Sequence, residues 1–207
     1  MDEKQGAARG VAIDPAVVKD RIRGAVFGAV FGNSLGGSAI GLNYKEIAAT
    51  TGVSGLRDFA PGLTRSLLPE HEAGALLADS FLSLSLAESL INNKGKFSVD
   101  DLKKRYAALL DDQEFLKSAP GVHCLSGMRK LVDSLTPNAE GPEALNASTS
   151  VRSCLMGCLP GGLKSDEPLE VAVTQAQLSS GDARTVAAAG VIADTVRYFI
   201  QGGQMQT

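Results

Sequence analysis

The chain carries, at residues 21–42, the stretch RIRGAVFGAVFGNSLGGSAIGL, in which glycine returns at every fourth position, at Gly24, Gly28, Gly32 and Gly36. On a helix this spacing stacks the glycines along one stripe, where other backbones can approach closely. Glycine inside a helix costs about 1 kcal/mol relative to alanine, so four of them indicate a packing or binding role that outweighs the cost. We therefore expect a buried helix at the centre of a soluble bundle.

Small residues at this spacing are also typical of membrane helices, and the stretch from Gly24 to Leu42 carries no charge. It is rich in glycine, however, and the polar residues Asn33, Ser34 and Ser38 interrupt it, which disfavours a membrane span. The N-terminus is polar rather than a secretion signal, and three cysteines form no disulfide framework. These features favour a cytoplasmic protein that does not associate with a membrane.

The length and composition indicate how many domains the chain can form and which classes of partner are improbable. The 207 residues are sufficient for one domain with a hydrophobic core. With 44% hydrophobic and 21% charged residues the composition is that of a globular protein, and a net charge of −3 without a basic cluster argues against nucleic-acid binding. We expect a flexible tail at residues 1–13 and a single helical domain at residues 14–207.

Helix start and stop signals predict the remaining elements. Asp14 followed by Pro15 begins the first helix, and Ser98 and Asp182 are the N-caps of later ones. The patterns predict helices over residues 43–50, 70–91, 98–110, 128–135, 151–158, 171–178 and 182–200. They predict loops over residues 51–69, 121–127 and 136–150. Alternating strand patterns are scarce, so the predicted fold class is all-α.

The order of these motifs resembles the ADP-ribosylglycohydrolase family over residues 17–200. The family's opening pattern of arginine, glycines and Gly-Asp-x-x-Gly is similar to residues 21–36, with Asn33 at the aspartate position. The family's Thr-Asp-Asp-Thr motif falls on residues 77–80, where Asp79 and Ser80 keep polar groups. The resemblance implies a compact orthogonal helical bundle, here without the C-terminal part that carries the family's Gly-Asp-x-Asp-Thr motif.

Three later stretches resemble the family's ligand-binding motifs. Residues 121–127 are similar to its ligand loop, residues 147–157 to its Asn-Gly-x-x-Met-Arg pattern, and residues 178–183 to its Leu-Thr-His-x-Asp-Pro pattern. A simple turn explains the loop glycines equally, and Arg152 can pair either with a phosphate or with a core carboxylate. The resemblance implies ligand contacts from Asn33, Gly121, Ser126, Gly127, Arg152, Ser180 and Asp182.

The resemblance also implies a cofactor. Family members hydrolyse the glycosidic bond of ADP-ribose attached to protein side chains, generally with two magnesium ions held by acidic motifs. Asp79 and Ser80 would be the remaining metal ligands, although a buried hydroxyl or backbone group can satisfy Asp79 instead. One carboxylate and one hydroxyl are too few oxygen donors for a tight two-ion cage of octahedral Mg²⁺.

The sequence leaves three functional hypotheses open. The first, which we favour, is an ADP-ribosylglycohydrolase-like pseudoenzyme, impaired in catalysis, with ADP-ribose or an ADP-ribosylated protein as its partner. The second is an active magnesium-dependent ADP-ribosyl hydrolase, or a fragment of one. The third is a non-catalytic structural or partner-binding helical protein, which we expect to form a homo-oligomer.

Overall fold

A computed structural model describes residues 13–52, 55–68, 70–118, 120, 122–133, 147–159 and 167–205. Within these residues the regular secondary structure is helical throughout, which confirms the all-α prediction. The helices are α1 (Pro15–Gly37), α2 (Tyr44–Thr51), α3 (Ala78–Asn92), α4 (Val99–Leu110), α5 (Gln113–Lys117), α6 (Val122–Asp133), α7 (Ala147–Gly157), α8 (Glu167–Gln177) and α9 (Ala183–Ile200). None of them combines the length and hydropathy that a bilayer crossing requires. The predicted tail lies outside the described residues except for Ile13.

The hydrophobic core forms around α3 and α7. Leu82 and Leu86 of α3 are fully buried, as is Met156 of α7. α7 packs most extensively against α9, where a Cβ at Gly157 would overlap the carbonyl of Ala193. The absence of a side chain at Gly157 therefore sets how closely these two helices approach.

α1 is not the central buried helix that the glycine pattern predicts. A Cβ added at Gly24, Gly28, Gly32 or Gly36 would meet no atom within 4 Å among the described residues. Beside this stripe Phe27 and Phe31 are 57% and 54% exposed, whereas Val26 and Ala29 on the opposite side pack against the core. The prediction is wrong because burial favours apolar surface, which the leucines of α3 have and a glycine stripe lacks.

Several helix boundaries also differ from the prediction. α3 begins at Ala78 rather than at residue 70, because the segment before it turns at Gly74 with φ +77° and Ala78 N–H donates to the Ser118 carbonyl. α6 begins at Val122, so the predicted loop at 121–127 is wrong, apart from Gly121, which lies outside the described residues.

The remaining differences lie in the second half of the chain. α7 and α8 begin four residues earlier than predicted, at Ala147 and Glu167, and the short helix α5 was not predicted. The predicted N-caps are confirmed: Asp14, Ser98 and Asp182 each accept a hydrogen bond from a backbone N–H of the first turn that follows. Capping chemistry is local, so sequence reveals it more reliably than it reveals burial.

We predict that Gly28→Ala raises the free energy of unfolding by about 1 kcal/mol, because alanine stabilises the helix and its methyl group meets no neighbour. The measurement is urea denaturation followed by circular dichroism. Gly157→Ala is the matched control and should lower stability, since its methyl group overlaps α9. A loss of stability in Gly28→Ala would show that the stripe is packed.

Candidate functional site

The end of α1 meets the first turn of α3 through the side chains of Asn33, Asp79 and Ser80. Asn33 Nδ2 donates to Asp79 Oδ2 at 3.4 Å, and Ser80 Oγ donates to Asn33 Oδ1 at 2.9 Å. Nearby, Ser34 Oγ donates to the Ala75 carbonyl at 2.7 Å. Three residues that the family motifs single out are therefore brought into direct contact.

The donor set at this junction does not fit a pair of magnesium ions. Among these three residues Asp79 provides the one carboxylate. Ser80 is only 1% exposed, and its hydroxyl is directed to Asn33. In the described part of the chain no three His, Cys, Asp or Glu side chains form a group that could hold a metal ion. Magnesium needs several oxygen ligands at once, and its charge requires carboxylates among them.

Arg152 lies in a buried polar network between α7 and α8. It is 1% exposed, and its Nη2 donates to Ser179 Oγ at 2.7 Å and to Thr149 Oγ1 at 3.4 Å. Its Nε donates to Gln175 Oε1 at 3.5 Å. These acceptors are neutral, and Arg152 forms no ion pair with a carboxylate in the described residues. Of the two partners expected from the sequence, a phosphate or a core carboxylate, the carboxylate therefore has no support.

The position of the acceptors explains how neutral side chains can hold the buried guanidinium of Arg152. Ser179 follows the last turn of α8, which ends at Gln177, and carbonyl groups at a helix C-terminus carry partial negative charge. Gln175 Nε2 donates in turn to the Thr149 carbonyl at 3.2 Å and to Ser153 Oγ at 2.9 Å. The network thereby connects α7 to α8 and to the turn that precedes α9.

Other predicted ligand residues surround the same turn. A Cβ at Gly127 of α6 would lie 2.7 Å from the Ser179 carbonyl, so α6 approaches this turn closely. Ser180 is buried, and its Oγ accepts a hydrogen bond from the backbone N–H of Asp182 at 3.3 Å. Ser126 is half-buried on α6.

Asp182 has a structural role at the start of α9. Its Oδ1 accepts hydrogen bonds from the backbone N–H groups of Arg184 at 2.9 Å and Thr185 at 3.1 Å. Its Oδ2 accepts a hydrogen bond from the Arg184 guanidinium at 2.8 Å. The Arg184 side chain and then the backbone N–H of Thr185 lower the pKa of Asp182 to about 2. The carboxylate is therefore ionised at neutral pH and bonded to α9.

Cys124 of α6 is a buried thiol near both groups of residues. Burial raises the pKa of its thiol, the charge of Arg152 opposes that rise, and the charge of Asp79 adds to it. The buried Tyr106 hydroxyl also lies within the field of Arg152 and has no hydrogen-bond partner among the described residues. Burial raises the pKa of Tyr106, so both neighbours stay neutral and inert at neutral pH.

The sequence did not predict the acceptors of Arg152 as site residues. Thr149 fell in a predicted loop, whereas the structure places it in α7, where Thr149, Arg152 and Ser153 share one helix face. Recognising the start of α7 at Ala147 would have revealed this face. The partner residues Gln175 and Ser179 follow only from the packing of α8 on α7.

Comparison with known proteins finds similarity in sequence to a family and in fold to solved structures. The sequence profile of the ADP-ribosylglycohydrolase family matches residues 14–207. No curated protein sequence matches the chain significantly. A solved structure of an ADP-ribosylglycohydrolase-related protein complex is similar in fold, with a TM-score of 0.69 and 20% sequence identity. The match covers 91% of this chain and 59% of that one, so the chain spans less than two thirds of the solved structure.

We predict that Arg152→Met lowers the free energy of unfolding by about 2–4 kcal/mol, because it leaves the buried polar groups of Ser179 and Gln175 without their donor. Urea denaturation measures the change. Arg129→Met removes an exposed arginine from α6 and should change stability little. Equal stability of the two variants would contradict a structural role for the buried network.

Proposed function

Since the chain belongs to the ADP-ribosylglycohydrolase family, we propose that it is a catalytically impaired relative of the hydrolases that remove ADP-ribose from protein side chains. The contact between Asn33 and Asp79 carries the proposal. We propose ADP-ribose or an ADP-ribosylated protein as its partner. We also propose a cytoplasmic location, which the free thiols of Cys124, Cys154 and Cys158 support.

Asn33 takes the position that an aspartate has in the family motif. Two facing carboxylates at this junction would repel each other and would be held together by a cation between them. An amide removes one negative charge and donates its N–H directly to the other carboxylate, as the 3.4 Å contact shows. This hydrogen bond supports a junction between α1 and α3 that needs no metal ion.

Loss of the cation removes the chemistry that the family reaction uses. Magnesium, when bound, acts as a Lewis acid and lowers the pKa of a coordinated water. Here the Asn33 amide is bonded to one oxygen of Asp79, and the Ser80 hydroxyl is directed to Asn33. The carboxylate of Asp79 is thus bonded to an amide rather than to a metal ion, which supports impaired hydrolysis.

The direct test is release of free ADP-ribose from ADP-ribosyl-arginine and ADP-ribosyl-serine peptides with millimolar magnesium present. We expect no release above the uncatalysed rate. Turnover that depends on magnesium would contradict the proposal and favour an active hydrolase. An active family member assayed on the same peptides is the positive control.

We predict that Asn33→Asp lowers the free energy of unfolding by about 1–2 kcal/mol without magnesium, because it places a second carboxylate against Asp79. Magnesium should recover part of this loss in the variant and should leave the melting temperature of the parent protein unchanged. Gln113→Glu adds the same charge on the exposed face of α5 and serves as control. A magnesium response in the parent protein would count against a metal-free junction.

A further inference from the structure

A cavity of about 1020 Å³ opens between the segment at residues 67–77 and the helices α3 and α5. Its lining residues are Leu67, Leu68, Glu70, His71, Glu72, Ala75, Leu76, Leu77, Phe81, Glu114, Lys117 and Ser118. Asn33, Asp79 and Ser80 are not among them. The cavity is therefore distinct from the α1–α3 junction.

The floor of the cavity is apolar and firmly supported. The ring of Phe81 packs edge-on against the fully buried Phe115, with 6.1 Å between the centroids. Four leucines complete the floor, of which Leu67 is 73% and Leu76 is 38% exposed. On one wall the His71 ring packs over Gly37, where an added Cβ would lie 2.8 Å from Nε2. An apolar floor of this kind favours aliphatic side chains of a ligand.

The rim of the cavity is acidic. Glu70 and Glu72 are exposed, and neither has an ion-pair partner in the described residues. Glu114 pairs with Lys117 at 3.0 Å, which leaves the charges of Glu70 and Glu72 uncompensated. Such a rim repels a diphosphate and attracts a cation. The cavity thus does not suit ADP-ribose.

We propose that this cavity docks a basic amphipathic peptide segment of a partner protein. Its aliphatic side chains would lie on the leucine floor, and its arginine or lysine side chains would face Glu70 and Glu72. The volume lies at the upper end of small-molecule sites, which are about 300–1,000 Å³, and accommodates several residues of an extended chain. A simple polyamine matches the rim but leaves the apolar floor uncovered.

Fluorescence anisotropy with labelled octapeptides tests this docking site. The probe alternates leucine and arginine, and two comparison peptides replace either leucine by serine or arginine by glutamate. We expect only the Leu-Arg peptide to bind, and expect added salt to weaken it. Glu70→Gln/Glu72→Gln should weaken binding about tenfold, or ~1.4 kcal/mol. Asp111→Asn/Glu170→Gln removes two exposed carboxylates elsewhere and should leave affinity unchanged.

Three results would overturn the proposal. These are no binding of the Leu-Arg peptide, equal binding of the Ser-Arg peptide, and equal losses of affinity in the two double variants. All four substitutions lie at exposed positions, and circular dichroism verifies that each variant is folded. The assay measures neither ADP-ribose nor hydrolysis, so its outcome is independent of the proposed function.

Discussion

The guanidinium of Arg152 is buried in the protein interior, and a buried charge with rigid N–H donors needs acceptors in fixed directions. Ser179, Thr149 and Gln175 provide them, so the turn after α8 must lie against the face of α7. The missing side chain at Gly127 then allows α6 to reach the Ser179 carbonyl. Arg152 thereby holds α7 against α8 and the turn after it, and Gly127 lets α6 approach that turn.

Local chemistry was predictable from the sequence, whereas the exposure of the glycine stripe on α1 was not. The caps of α1, α4 and α9 follow from single residues whose side chains bond within the next turn. The glycine stripe of α1 indicated a central helix, yet the stripe faces away from every described neighbour. A repeated spacing shows that residues share a helix face, but it does not show which element covers that face.

The candidate site likewise contains some residues that the sequence singled out and others that it did not. Motif resemblance singled out Asn33 near the end of α1 and Asp79 and Ser80 at the start of α3, and the structure places Asn33 in contact with both. The Arg152 partners Gln175 and Ser179 were not predictable, because they lie 23 and 27 residues away along the chain and are neutral side chains without a recognisable pattern. Such partners emerge only when α8 is packed on α7.

The fold and the family's reaction depend on different interactions in this chain. Apolar packing around α3 and α7 and the Arg152 network hold the helices, and neither involves a metal ligand. In the function that we propose, hydrolysis in the family relies instead on carboxylates that share cations at the α1–α3 junction. On that proposal, the Asn33 amide removes a negative charge that would attract the cation, and its hydrogen bonds keep the two helices joined. A protein can therefore lose the reaction at this junction without losing the fold around it.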